Sequence, residues 1–519
     1  MKKLTDLILG SNENADLKNL FSFNRGIERE TLRVTKNGRL SEQPAPKELG
    51  NILTHPFITA DFAEAQPELI TSVHSSPERV LNELEKIHAF AARNLSNELM
   101  WSASMPCELP PKSRIKIADF GKTNLGRLKG LYRSGLAERY GKEMQTICAI
   151  HYNFSFNQYF WEWLKHKENS KSSMTQFKSR RYFDLMRNFR RYSWLLTYLF
   201  GASPATCASF IGSKNHEQLE FHDDETMYSP YSTSLRSADI GYQSNVQSKY
   251  VRVSYNGLTE YVSSLKAAIQ KKFKSYERFS KKESQISSNL LQSEAEFYTT
   301  IRAKRKIEED ENFVLSLSQK GVEYVELRLL DLNPFTPLGI SEDQIRFLDV
   351  FLLFCLLTES PKDDEKRLES NAFNYNAVIF NGRDKSIILR NGIKETSLKT
   401  WASEILGQLL ELAKFLDAIE KSKKNYQSLK NMSGLIDDPE LTPSGKMLNE
   451  MNEKKLSFLE FGIRRSKKNH QHYLDLDLSL DELKFFENIS SESQKVAKKP
   501  DRDKDFTVYM KNYLESYKY

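Results

Sequence analysis

Apolar and polar positions alternate in short runs over the first two-thirds of the chain. Helical periodicity dominates the rest. Ile27–Val34 reads as a strand, and so do Thr146–Phe156 and Val322–Leu332, which are rich in aromatic and branched residues. Pro77 opens a helix with Ser76 as its N-cap, and Val80, Leu84, Ile87 and Ala91 fall on one face. From Ser341 the pattern turns helical. Arg346–Leu357 is apolar nearly all round, which predicts a buried helix, and Lys399–Ile419 and Pro443–Met451 read as amphipathic helices. Beyond about Arg464 the chain is highly charged, and loose packing is expected there. No internal repeat, heptad array or Pro/Gly-rich linker interrupts the sequence. Strands mixed with helices, then a helical end, predict one large α+β or α/β-like unit.

Composition narrows the class. The 519 residues are 39% hydrophobic and 28% charged, which fits a folded globular chain with a core large enough to need no disulfide or structural metal. Cys107, Cys148, Cys207 and Cys355 lie far apart with no CxxC pair, so a zinc ribbon and a disulfide framework are disfavoured and reduced thiols in the cytoplasm are expected. After Met1–Asp6, the apolar stretch Leu7-Ile8-Leu9 is too short for a signal h-region, and the run Val350–Leu357 is too short to span a bilayer. The formal charge of +7 admits a nucleic-acid partner, but the basic residues sit in dispersed runs, Lys271–Lys282, Arg464–Lys468 and Lys495–Lys504, which read as solvated faces. No RNP, KH or helix-turn-helix pattern accompanies them.

Candidate chemistry lies in four β-like segments whose acidic or polar groups are two residues apart, so that each pair shares one face of a strand. They are Arg25–Glu30, Asp61–Glu68, His151–Ser155 and Glu323–Arg328. Glu28 and Glu30 pointing inward would repel by about 4 kcal/mol at 4 Å and an effective dielectric of 20, and several such acids would need cations to stay ionised. Oxygen donors favour Mg2+ or Mn2+ over zinc. Each segment also has a plainer reading: an exposed strand edge for Glu28 and Glu30, loop acids for Asp61 and Glu68, a satisfied core histidine for His151, a surface salt bridge for Glu326 and Arg328. GxxxxGK[ST] and GxGxxG are absent, and Gly121–Arg127 has the P-loop elements in the wrong order, so bound phosphates would rest on metals and arginines. Arg133 and Arg236 are candidates, with a surface position as the alternative for both.

Together these segments resemble a known family. RGIERETLRV (25–34), ITADFAEAQPELIT (58–71), MWSASMPC (100–107), GLYRSGLAERYG (130–141), MQTICAIHYNFS (144–155), YLFGASPA (198–205), YSTSLRSADIGY (231–242) and VEYVELRLLDLNPFTPLGI (322–340) run in the order found in glutamate–cysteine ligase (γ-glutamylcysteine synthetase) of the bacterial monofunctional type. The resemblance covers most of residues 24–358 and weakens beyond about 360. It implies a glutamine-synthetase-like fold: a curved, mainly antiparallel sheet forming a funnel, with helices outside and a helical C-terminal part. A single catalytic unit over 1–519 is expected, with its core at about 20–358, a helical part at about 359–460 and a charged tail at about 461–519.

What the resemblance implies about chemistry is specific. ATP, L-glutamate and L-cysteine are the expected substrates, and γ-glutamylcysteine, formed through a γ-glutamyl phosphate, is the product. Glu28, Glu30, Asp61, Glu68, His151 and Glu326 would be metal ligands for Mg2+ or Mn2+. Arg328, Arg133 and Arg236 would serve catalysis, Arg236 also orienting a carboxylate. Tyr132, Leu136, Gln145, Tyr242 and Tyr298 would surround the cysteine thiol. Gln66-Pro67 departs from the family, which carries apolar residues there. The expected protein is cytoplasmic and monomeric, with no membrane or nucleic-acid partner. Three other readings stand beside this one: a ligase of the same fold with another amine acceptor, a basic nucleic-acid-binding protein, and a catalytically dead regulatory subunit. The presence of all six candidate ligands speaks against the last.

Overall fold

The computed structural model of the chain describes residues 17–212, 216–241, 244–280, 284–308, 311–499 and 505–518. Its centre is a six-stranded sheet of β1 (Phe23–Glu30), β2 (Ile58–Ala60), β3 (Pro67–Ile70), β4 (Ile150–Phe156), β5 (Ile301–Lys304) and β6 (Tyr324–Leu330). The spatial order is β5–β6–β4–β1–β3–β2, and every pairing between neighbours is antiparallel. Smaller ribbons flank it, including Arg33–Thr35 against Glu98–Met100. The strand expected over Ile27–Val34 is therefore two: β1 ends at Glu30, and Arg33–Thr35 pairs elsewhere. The strand expected over Thr146–Phe156 starts at Ile150, after a 3-10 turn at Met144–Thr146.

One face of the sheet is dry. Ile27, Leu69, Tyr152, Phe154, Val325 and Leu327 are buried there, against α1 (Pro77–Arg93) and the long α3 (Met174–Phe200). A helix that follows α1 in the chain, α2 (Asn124–Tyr140), instead borders the other face, where Arg133 donates to the Ala60 and Asp61 carbonyls at the end of β2. In α1, Ser76 caps Arg79 N and Val80, Leu84, Ile87 and Ala91 are buried, as the periodicity predicts. α4 (Glu342–Leu357) is buried from Gln344 to Leu356 and packs on α3. Its one acid in that stretch, Asp349, is satisfied: Arg25 Nη2 lies at 2.6 Å and the Tyr152 hydroxyl donates to it at 2.6 Å. That ion pair ties β1 and β4 to the helical layer.

The charged end does not pack loosely. Helices α5 (Phe458–Asp475) and α6 (Leu480–Val496) dock on α1 and its surroundings. Phe458, Phe461, Tyr473 and Phe486 are buried, Phe486 stacks on Phe90 at 5.1 Å, and Gly462 lies so close to Trp101 that a methyl group would meet the indole. The apolar positions recur at helical spacing within the basic sequence, so the charges cover only the outer face. The four cysteines are buried and unbridged. No described helix is long and apolar enough to cross a membrane.

Candidate active site

Strand register assembles the polar face. Glu30 lies opposite Glu68, Glu28 opposite His151, Asn153 opposite Glu326, and Glu326 opposite Arg302. Directly opposed residues project to the same side of a sheet, so pairs spaced two apart on separate strands meet in one patch. β1 is interior to the sheet, which excludes the strand-edge reading of Glu28 and Glu30. The β4–β6 register shifts between Leu327 and Leu330, the stretch that holds Arg328, whose guanidinium turns to Glu326 on the patch. Gln66 is fully buried, donating to Ile147 O at 3.1 Å and accepting from Ala63 N, so the departure at Gln66-Pro67 leaves Glu68 in register with Glu30.

Two groups of candidate ligands converge, Glu28–His151–Glu326 and Glu30–Glu68–His151, each with its donor atoms within 4.8 Å of one another. His151 is buried, with Nδ1 3.1 Å from Glu28 Oε2 and Nε2 3.3 Å from Glu30 Oε1. A neutral imidazole offers one nitrogen as donor and one as acceptor, so the two groups share a ligand that one ion uses at a time. Asp61 belongs to neither group, but it lies near enough to act on Glu30 and Glu68.

The electrostatics divide the acids. Burial and then the Asp61 charge push the Glu30 carboxyl well above the usual range, and burial followed by the Glu28, Asp61 and Glu30 charges does the same to Glu68. Burial also opposes ionisation of Glu28 and Glu326. The hydrogen bond from His151 nevertheless holds Glu28 low, and Lys304, Arg328 and Arg302 hold Glu326 low. Burial, then Arg328, keeps His151 below the usual imidazole range. Crowded carboxylates, two of them held above their usual range, beside an Oε2 of Glu326 with no hydrogen bond, make a donor set suited to a hard divalent cation.

Cations ring this acidic patch. Arg328 Nη1 donates to Glu326 Oε1 at 3.1 Å. Arg236, buried, donates to Arg328 O at 2.6 Å and lies 3.7 Å from Asp331. The Arg133 guanidinium lies 4.1 Å from the Phe120 ring centroid. Neither Arg133 nor Arg236 is a free surface residue. Lys304, 3.7 Å from Glu326 Oε1, and Lys129, whose amine burial and Arg133 lower to about 8, were not legible as site residues: Lys304 sits in a basic run that resembles a solvated face. Lys129 did have a signal, one helical turn before Arg133 in α2.

Of the residues expected around the cysteine thiol, Gln145 Nε2 donates to the Tyr298 hydroxyl at 3.1 Å. Leu136 is buried, and Tyr132 packs against the core. Tyr242 lies outside the described residues. Two surface clefts, of about 650 Å³ and 710 Å³, are lined by none of the residues expected to act.

Comparison with known proteins agrees in kind. The sequence model of the family described as glutamate-cysteine ligase matches residues 9–378. The chain is 42% identical over 471 residues to a glutamate–cysteine ligase of Alcanivorax borkumensis, covering 89% of each. It is 43% identical over 497 residues to one of Pseudomonas paraeruginosa, covering 95% of this chain and 94% of the relative. Among solved structures, the glutamate–cysteine ligase of Francisella tularensis in complex with AMP is similar at a TM-score of 0.89 and 33% identity, over 96% of this chain and 98% of that one. A bifunctional glutathione synthetase from Pasteurella multocida is similar at 0.72 and 26%, over 92% of this chain and 57% of that one.

Proposed function

The chain belongs to the glutamate–cysteine ligase family, the ATP-dependent ligases of the first step of glutathione synthesis, and we propose that its carboxylate-lined patch is where glutamate, ATP and cysteine react. The fold is that of the glutamine-synthetase-like ligases, and the enzyme joins the glutamate γ-carboxylate to the cysteine amine.

A carboxylate does not acylate an amine at neutral pH, because oxide is a poor leaving group. ATP removes that obstacle: a γ-carboxylate oxygen takes the γ-phosphoryl group as the bond to ADP breaks, and the cysteine nitrogen then displaces phosphate as the C–N bond forms. Catalysis of phosphoryl transfer is chiefly positioning and charge neutralisation. We assign Glu28, Glu30, Glu68, His151 and Glu326 to hold divalent cations, Mg2+ or Mn2+, with Asp61 adding negative charge beside them. Bound there, such ions would supply positive charge that offsets the charge of the triphosphate. Arg328 and Lys304, held against Glu326, neutralise the moving phosphoryl group. Arg133 lies at the end of β2 to meet the nucleotide, and Arg236 orients a substrate carboxylate. Tyr132, Leu136, Gln145 and Tyr298 enclose the cysteine side chain. AMP in the Francisella relative supports a nucleotide site in this fold.

The observation that carries this reading is the register that brings Glu30 opposite Glu68 and Glu28 opposite His151. A site built from one chain needs no partner subunit, so a monomer is the simplest assembly. Unbridged buried cysteines fit the cytoplasm. An ADP-release assay with glutamate, Mg2+ and cysteine omitted in turn tests the substrates. Glu28→Gln tests the metal role: kcat should fall and the Mg2+ requirement rise with folding intact, whereas full activity at limiting Mg2+ rules that role out.

A further inference from the structure

Away from the metal patch, the acid Glu296 is fully buried and touches none of the reacting groups. Its carboxylate collects three donors. Arg139 Nη1 lies at 2.8 Å, with both side chains shut off from solvent, the Tyr140 hydroxyl donates to it at 2.7 Å, and Gln292 N donates at 2.7 Å. Its backbone carbonyl accepts from Gln247 Nε2 at 2.8 Å. Gln247 in turn accepts from Tyr298 N at 2.9 Å and donates to the Tyr140 hydroxyl at 3.0 Å. Gln292 closes the loop by donating to Tyr132 O at 3.1 Å.

This network has a direction. Arg139 and Tyr140 belong to the last turn of α2, the helix that also carries Tyr132, Leu136 and Arg133. Glu296, by contrast, sits in the chain that leads to Tyr298. A buried charge pair whose remaining valences are filled by hydrogen bonds is rigid, because each displaced donor would be left unsatisfied. The pair therefore sets the separation between two walls, Tyr132 and Leu136 on one side and Tyr298 with its partner Gln145 on the other.

We infer that Glu296, paired with Arg139, is the positioning residue of the amine-acceptor pocket, fixing its width and hence the enzyme's choice of acceptor side chain. The inference rests on the assignment of Tyr132, Leu136, Gln145 and Tyr298 to that pocket. It separates acceptor binding from nucleotide and glutamate binding, since Glu296 pairs with Arg139, Tyr140, Gln292 and Gln247 and not with Glu28, Glu30, Glu68, His151 or Glu326.

The test is steady-state kinetics of the full-length enzyme with cysteine and with 2-aminobutyrate. In Glu296→Gln the side-chain amide NH2 replaces an oxygen that accepts either from Gln292 N–H or from Arg139 and Tyr140, so two donors oppose each other. In Gln247→Leu the Arg139–Glu296 pair stays intact while the link to Tyr298 is lost. In both, KM for cysteine should rise about tenfold, the size of one contact's worth of acceptor discrimination. The KM values for ATP and glutamate and kcat at saturation should stay within about twofold, and the preference for cysteine over 2-aminobutyrate should shrink. A folded variant with the wild-type cysteine KM, or with all three KM values raised together, overturns the inference. If Glu296→Gln does not fold, Gln247→Leu decides by the same criteria. Gln145→Ala and Tyr298→Phe touch the acceptor directly, so if they leave the cysteine KM unchanged it is the pocket assignment that fails.

Discussion

Glu30 and Glu68 stand directly opposite each other on neighbouring antiparallel strands, and each is pushed by burial toward its protonated form. Two acids do not adopt such a pairing in a sheet interior for stability, since like charges facing across a ladder repel. The pairing makes sense where a cation takes the place of the shared protons.

That arrangement has a pH signature. In the metal-free fold, Glu30 and Glu68 keep protons that the unfolded chain loses near the ordinary carboxylate pKa. Their contribution to stability is therefore full below that value and is lost as pH rises through the raised ones. A divalent ion held there, as proposed, would displace those protons, so its binding would strengthen with pH. The increase in Tm caused by a fixed Mg2+ excess should grow between about pH 5 and 8, measured by calorimetry. A flat or falling increment counts against the ligand role.

Arg328 sits where the β4–β6 register shifts and donates to Glu326. Lysine keeps the charge but loses the planar fork, so Arg328→Lys should lower kcat by about tenfold or more. The KM for cysteine should change little, because the role proposed for Arg328 is on the phosphoryl group. Initial rates at saturating ATP and glutamate check this.

Asp349 is a stability residue on the far side of the sheet. Asp349→Asn leaves Arg25 buried without its counter-charge, and the cost should be about 3–5 kcal/mol in urea unfolding. Activity per folded molecule should keep whatever Mg2+ dependence the wild type shows, since the pair does not face the acidic patch.

Gly462 tests the packing of the C-terminal helices. A Cβ there meets the Trp101 ring, so Gly462→Ala should destabilise by about 1–3 kcal/mol, the cost of overpacking a filled contact. A loosely attached tail would show no change in the unfolding midpoint.

The pattern of residues two apart was enough to put Glu28 with Glu30, and Glu326 with Arg328, on common faces. It was not enough to order the strands. Nothing local says that β1 lies between β3 and β4, and register between strands far apart in sequence is set by packing of the whole sheet. Hence Glu68 read as a loop acid until its pairing with Glu30 put it on a strand, and only the β1–β4 register brings His151 to Glu28. Lys304 was hidden for a different reason: its strand, Ile301–Lys304, opens a basic run, and only its position next to Tyr324 and Glu326 gives the charge a purpose. Tyr132 and Tyr298 are aromatic residues like many in the core, so their place beside Gln145 was reachable only through the family resemblance. At the C-terminal end, charge masked a helical repeat of Phe458, Phe461 and Tyr473 that buries as firmly as the sheet.

The most direct test of the central claim is Mn2+ binding followed by electron paramagnetic resonance, with a non-hydrolysable ATP analogue present. Wild-type enzyme should bind Mn2+ in a form that Glu30→Gln and Glu68→Gln each weaken by at least about tenfold, with circular dichroism unchanged. Variants that fold and hold Mn2+ as tightly as the wild type would contradict the account.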